Sequence, residues 1–474
     1  MRFFGSFLVL LLILSSPLAA QSVIGASGLG MRLEPLDAVQ RALGGVGVTT
    51  RTPTVLPGNP AASLDLLAPT ITFTAQPQWG TYVVGSENGD FFATRFPVLG
   101  FAYPLSTNGV ITLTAGSQFD QNWSVVSRGT VDVHGESVGY TDRFLSDGAV
   151  TAIQAGWARR LSTVFAVGAT VGVYSGGLKR NFFRVFDGET VDSVAVENPI
   201  ETTTVLGRWN HSGLLASLNL LWDPSPFLQL GATMEWGGTL KVNPVRGFQD
   251  LGRAVSVPLQ FKVSTTAALS STLALNAGAT YSDWSGLGDA SVEDAGAGRV
   301  VSYGVGVEWE AINFWAGGLP IRLGFRQSKL PFRFLDERVK ENTVSLGFSI
   351  VMAQALGLPL AALDVAAEAG SRRSGSYDES LRRLTMTLRV GGSRGRPRRV
   401  QVLFHTFGCK ANQYDTERMR QESQARGVLI TSDLGSADVC VVNTCTVTNA
   451  ADAEAKRFVR RITRENPQTR IVVA

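Results

Sequence analysis

Thiols are the side chains of this 474-residue chain whose type and spacing promise chemistry. Its three cysteines are Cys409, Cys440 and Cys445, and the 408 positions before them hold none. So tight a group suits metal or redox work in a reducing compartment. A long stretch without cysteine suits an envelope protein, which thereby avoids stray disulfides in oxidising surroundings. The histidines, His134, His211 and His405, have no metal-ligand spacing. His405, beside the first cysteine loop, reads as strand packing. No P-loop, nucleophile elbow or paired-carboxylate site of useful specificity is visible.

Alternating strands and helices must position the thiols. Residues 400–404 and 439–442 read as short apolar strands, and 413–425 as a helix. Residues 450–465 read as a second helix with apolar Ala450, Ala453, Phe458 and Ile462, stopped by Asn466 and Pro467. Residues 471–474 begin a third strand. Cys409 follows the first strand by a short loop and Cys445 follows the second. Parallel sheets gather binding residues at the carboxyl ends of their strands. Both thiols are therefore expected on one rim, with a third ligand expected just past the third strand. Thiolates there suit an iron–sulfur cluster. Cys440 falls inside a strand and reads as a buried structural cysteine.

The segment TFGCKANQYDTE (406–417) resembles the opening motif of the tRNA methylthiotransferases, and ADVCVVNTCTVT (437–448) resembles their second. The GCK-x-N and NTCTVT forms are most similar to the branch acting on threonylcarbamoyladenosine. The resemblance covers about 75 residues. It implies that Cys409 and Cys445 are ligands of an auxiliary 4Fe-4S cluster involved in sulfur delivery. Asn412, Asp415 and Asn443 match motif positions, and their plainer reading is turn and helix-cap work. The full family adds a third cysteine, a radical-SAM domain that cleaves S-adenosylmethionine and a C-terminal RNA-binding domain for its tRNA substrate. Those parts are absent here, so this chain is expected to have no transferase activity. A methylthiotransferase read from a mis-started and truncated gene is the alternative.

The rest of the chain has a different character. Residues 394–474 carry 14 basic and 8 acidic groups, while the remainder carries 29 and 31. A basic block hints at nucleic acid or at a solvated tail. Residues 391–399 (GGSRGRPRR) read as a linker. From residue 70 to 390 the hydropathy has period two. Val301, Tyr303, Val305, Val307 and Trp309 alternate with Ser302, Gly304, Gly306 and Glu308. Val344, Leu346, Phe348 and Ile350 alternate with Ser345, Gly347 and Ser349. Leu384, Met386, Leu388 and Val390 alternate with Arg383, Thr385, Thr387 and Arg389. Such strands suit a wall between lipid and water, and a sheet in lipid must close on itself. An inward Arg383 or Arg389 needs water or a partner. A secreted soluble sandwich or propeller is the competing architecture.

Residues 1–20 read as an export signal, with Arg2, an apolar run over 7–14 and cleavage after Ala20. Next come DAVQRALGGVGV (37–48) and GNPAASL (58–64). These resemble the start of barrels in the long-chain fatty acid transporter superfamily and its PorV-like relatives. That resemblance implies an N-terminal plug inside a fourteen-stranded barrel and, in the transport branch, passage of hydrophobic molecules. The expected fold is mainly β: a transmembrane antiparallel β-barrel of about fourteen strands (70–390) with a short plug (21–69), then a truncated α/β parallel-sheet domain (400–474). The barrel implies an outer-membrane location with lipid as partner and either hydrophobic-solute transport or an assembly role, whereas the tail's family is cytoplasmic. Two fused or misjoined genes account for both.

Overall fold

The computed structural model describes residues 22–474 apart from 27, 46, 107, 134–135, 187–202, 247–251, 271, 288–296, 315–316, 335–336, 356–357, 392–400, 408–409, 426–428, 445–448 and 468. The proposed export signal, nearly all of the linker, His134, Cys409 and Cys445 lie outside the described residues. The chain divides into two units, one holding the barrel and the other holding Ser393–Ala474.

The period-two stretch forms a closed antiparallel barrel of fourteen wall strands. They are β2 (Thr70–Val84), β3 (Glu87–Ser106), β4 (Gly109–Asp120) continued by β5 (Trp123–Val133), β6 (Glu136–Arg160), β7 (Phe165–Phe186) and β8 (Thr203–Ser225). Then come β9 (Leu228–Trp236) continued by β10 (Thr239–Pro244), and β11 (Arg253–Ser256) continued by β12 (Gln260–Ala268). The wall ends with β13 (Leu273–Asp283), β14 (Arg299–Phe314), β15 (Gly317–Phe334), β16 (Glu337–Ala355), β17 (Leu358–Ser374) and β18 (Tyr377–Gly391). Register from Tyr377↔Val84 to Gly391↔Thr70 joins the last strand to the first. That closure pairs both edges that lipid would leave unsatisfied. Many strands exceed the ~9–11 residues a bilayer crossing needs.

The alternation reads out as an inverted core. On β16, Val344, Leu346 and Phe348 are exposed, while Ser345 and Ser349 are buried. On β14, Val301, Tyr303 and Val305 face out and Ser302 and Glu308 face in. Apolar side chains cover the outside and polar ones fill the inside, as a lipid-facing wall requires.

Residues 22–69 run inside this wall. They form a two-residue strand β1 (Met31–Arg32) paired to β4, a short helix α1 (Ala38–Ala42) and a 3-10 turn at Pro60–Ser63. Asp37 caps α1 by accepting from the Gln40 amide at 2.8 Å. Bonds run from this segment to walls on all sides. The Ala38 amide donates to Thr387 Oγ1 at 2.9 Å, the Thr49 amide to Ser264 Oγ at 2.9 Å, and Asn219 Nδ2 to the Gly58 carbonyl at 2.8 Å.

The second unit is a parallel sheet of order β20–β19–β21–β22. Its strands are β19 (Gln401–Thr406), β20 (Leu429–Ile430), β21 (Val439–Asn443) and β22 (Arg470–Val473), with helices α2 (Lys410–Ala425) and α3 (Asn449–Glu465). The sequence reading had three strands. The fourth, β20, is only two residues long, too short for hydropathy to reveal. Helix α2 also starts three residues earlier than expected. Leu403, Ala437, Cys440, Val442, Ala455 and Ile462 form the core.

Candidate functional sites in the barrel interior and at the thiol loops

The two glycine-rich motifs are one device. In the first, Gly44, Gly45 and Gly47 take φ values of 76°, 69° and 77°. Those are left-handed conformations that side chains disfavour. They turn the chain so that its backbone lies against glycines of the wall. A Cβ at Gly304 would overlap the Gly44 carbonyl, and one at Gly306 would sit 2.7 Å from the Leu43 carbonyl. In the second motif, Asn59 Nδ2 donates to the Val48 carbonyl at 3.0 Å, tying the two together.

Inward charges are paired across neighbouring strands. Glu341 receives Arg372 Nε at 2.6 Å and Arg383 Nη2 at 3.0 Å. Arg372 continues to Glu379 at 2.7 Å and Arg383 to Glu368 at 3.2 Å. Arg389 pairs with Asp364 at 2.7 Å and also donates to the Pro53 carbonyl at 3.1 Å. Arg322 pairs with Glu308 at 2.7 Å and donates to Thr52 Oγ1 at 3.1 Å. Arg383 and Arg389 thus have the partners that a buried charge requires. The last two arginines bind plug and wall together.

Another layer of the interior is apolar. Leu29, Phe119, Tyr174, Leu215, Trp284 and Phe332 belong to a continuous buried cluster contributed by strands on several sides of the barrel. Trp284 packs edge-on against Phe119 at 6.0 Å and Phe332 at 5.9 Å. Its indole N–H donates to Ser282 Oγ at 2.9 Å. The sequence reading assigned no residue to this layer. Its members interrupt the polar inward face only locally, and Trp284 lies outside any strand.

In the second unit, β19 and β21, which lead into Cys409 and Cys445, are hydrogen-bonded neighbours ending at Thr406↔Asn443. Asn443 Nδ2 donates to the Asn412 carbonyl and to Thr416 Oγ1, each at 3.0 Å. Asn412 Nδ2 donates to the Phe407 carbonyl at 3.2 Å. These asparagines therefore fasten the start of α2, next to the first cysteine loop, to the end of β21. Asp415 is exposed on α2, past the capping position. Cys440 is fully buried in β21 and burial pushes its thiol up to about 11, so at neutral pH it is a thiol with no thiolate character to offer a metal. His405 stacks on Phe458 at 4.1 Å and meets Phe407 at 4.6 Å, and burial lowers its pKa. That is the packing role the sequence suggested.

Comparison with known proteins separates the two units. Residues 401–474 match the model of Uncharacterized protein family UPF0004. The same stretch is similar to the threonylcarbamoyladenosine tRNA methylthiotransferase MtaB of Bacillus subtilis, 44% identical over 72 residues, 15% of this chain and 16% of that protein. It is also similar to the Aquifex aeolicus enzyme of that name, 39% identical over 75 residues, 16% of this chain and 18% of that protein. The chain thus spans less than a fifth of these relatives. The barrel is similar to the crystal structure of a Pseudomonas aeruginosa FadL homologue, with TM-score 0.52 and 11% identity over 76% of this chain and 99% of that one. It is also similar to the P. putida toluene transporter TodX, with TM-score 0.51 and 12% identity over the same shares. At such identities the likeness is one of fold. The chain therefore joins a barrel of the fold seen in those two structures to a segment of methylthiotransferase-family sequence.

Proposed function

We propose that residues 22–391 work in the outer membrane as a passage for small hydrophobic molecules, after export directed by residues 1–20. The observation that carries this reading is the buried apolar layer around Phe119, Leu215 and Trp284, one of several apolar clusters inside the wall. An apolar molecule leaving water gains there about 25 cal/mol for each Å² it buries. The plug must shift for transit, because its bonds to Arg322, Arg389 and Asn219 hold it across the lumen. Uptake of radiolabelled toluene by vesicles containing the full chain tests the proposal. Leu215→Asp puts a charge into the layer and is expected to lower uptake about tenfold, while Leu215→Ala keeps most of it. Equal uptake by vesicles with and without the protein would overturn the reading and leave an assembly role.

The tail is proposed to be the amino-terminal portion of a cluster-binding domain from the methylthiotransferases. Cys409 and Cys445 would hold the cluster, a thiolate donor set that suits iron–sulfur chemistry. When bound in the family, that cluster serves sulfur delivery. What this chain itself contributes is the Asn412–Asn443 fastening that fixes the start of α2 against β21. Anaerobic reconstitution with iron and sulfide tests this assignment: an iron–sulfur absorption band lost in Cys409→Ser supports it, and a band that survives the substitution would sink it. A barrel beside a segment similar to tRNA methylthiotransferases supports the view that two genes have been joined.

A further inference from the structure

We propose that the chamber between β1–α1 of the plug and the surrounding wall binds a small monovalent anion, chloride or a carboxylate of formate size. The chamber has a volume of about 60 Å³. A water-sized particle needs roughly 10–15 Å³ on this measure, so the space suits one small ion with a few waters. Seven cationic side chains line it, and three of them also pair with carboxylates behind the lining, Arg95 with Asp120, Arg372 with Glu379 and Arg383 with Glu368. The lining itself holds two carboxylates, Glu34 and Glu341.

Those carboxylates are already engaged. Both oxygens of Glu341 receive arginines, and Glu34 Oε1 receives Arg326 Nη2 at 2.5 Å. Arg41 is different. Among the described residues it forms no ion pair. Its Nη2 donates to the Glu34 carbonyl at 2.9 Å, and its buried Nε has no hydrogen-bond partner. Gln78, also on the lining, is fully buried. Its Oε1 accepts from Arg95 at 2.7 Å and Arg383 at 3.3 Å, which leaves Nε2 without a partner. The unused groups of the lining are therefore N–H donors. Glu368 Oε2 is a buried acceptor without a bond behind the lining, and its charge acts on Arg41 more strongly than that of Glu34.

The local potential has the sign an anion needs. Burial pushes the Glu34 carboxyl up, yet Arg326, Arg41, Lys262 and Arg32 together hold it below its usual range. An anion taking the Arg41 and Gln78 donors would satisfy both orphans and clamp the plug to the wall. This proposal does not depend on what the barrel transports.

Thermal unfolding of the full-length chain in detergent tests it, using sodium chloride, sodium formate and sodium gluconate at one ionic strength. Chloride or formate is expected to raise Tm by a few degrees in a saturable way, and gluconate, too large for the chamber, to leave it unchanged. The anion that saturates at lower concentration identifies the occupant. Arg41→Gln is expected to abolish the dependence, and Arg299→Gln, at an exposed site, to keep it. Equal Tm in all three salts, or a saturable rise that survives Arg41→Gln, would overturn the proposal. If Arg41→Gln does not fold, anomalous diffraction from bromide-soaked crystals of the unsubstituted chain decides. A bromide peak in the chamber supports the site, and water alone there overturns it.

Discussion

Glu341 sits where two guanidiniums would otherwise face each other. It takes Arg372 at 2.6 Å and Arg383 at 3.0 Å, and all three side chains are nearly inaccessible to solvent. Neutralising one member of such a group leaves buried charge without compensation, which costs about 3–5 kcal/mol. Glu341→Gln is therefore expected to lower barrel stability by about that amount. Urea unfolding in detergent reads this directly, and a variant as stable as the parent would show the cluster to be solvated. At the same scale Cys440 is a packing residue and no ligand. Its place in the core of a parallel sheet keeps it protonated.

At the scale of elements, the glycine patch explains how a plug of so few residues is held. Gly304 on β14 and Gly324 on β15 let the backbone at Gly44 approach the wall without an intervening side chain. Each missing Cβ brings peptide groups closer than any larger residue permits. Gly304→Ala is expected to lift residues 42–45 off the wall and weaken the plug while leaving the wall ladder intact. Limited proteolysis of the full chain in detergent checks it: cleavage in the segment 22–69 should speed up while the wall strands stay resistant. Unchanged plug cleavage would mean that the side-chain bonds of Arg322, Arg326 and Arg389 are enough to hold it.

At the scale of the whole molecule, the two units make opposite demands on their surroundings. The barrel exposes rows of large apolar side chains, such as Val171, Leu214, Leu323 and Val344. In water such rows would drive aggregation, and in a bilayer they are the lipid face. The full chain is expected to co-sediment with outer membranes and to stay there through alkaline carbonate washing. Recovery in the soluble fraction with bound iron would instead make the tail the part that governs the chain's fate.

Period-two hydropathy made strands with one apolar and one polar face legible, and the pairing of the last strand with the first decided for a closed barrel over a sandwich or propeller. The motifs at 37–48 and 58–64 were legible as a unit preceding the wall, and those at 406–417 and 437–448 were legible as a sequence family distinct from the barrel. The pairing of inward charges was not legible. Arg383 announced a need for a partner, but Glu341 lies 42 positions away and meets it only through the register of β16, β17 and β18. Strand breaks at residues 121–122, 237–238 and 257–259 fall partly on strand-breaking residues, Gly237, Gly238 and Pro258, but the resumption of the same wall strand beyond each is a matter of pairing. Local pattern determined which residues face lipid and which face inward. Only the tertiary structure decided which inward residues meet, because closing the ring and threading the plug bring together groups hundreds of positions apart, and from those meetings come the apolar layer, the arginine clusters and the chamber beside Arg41.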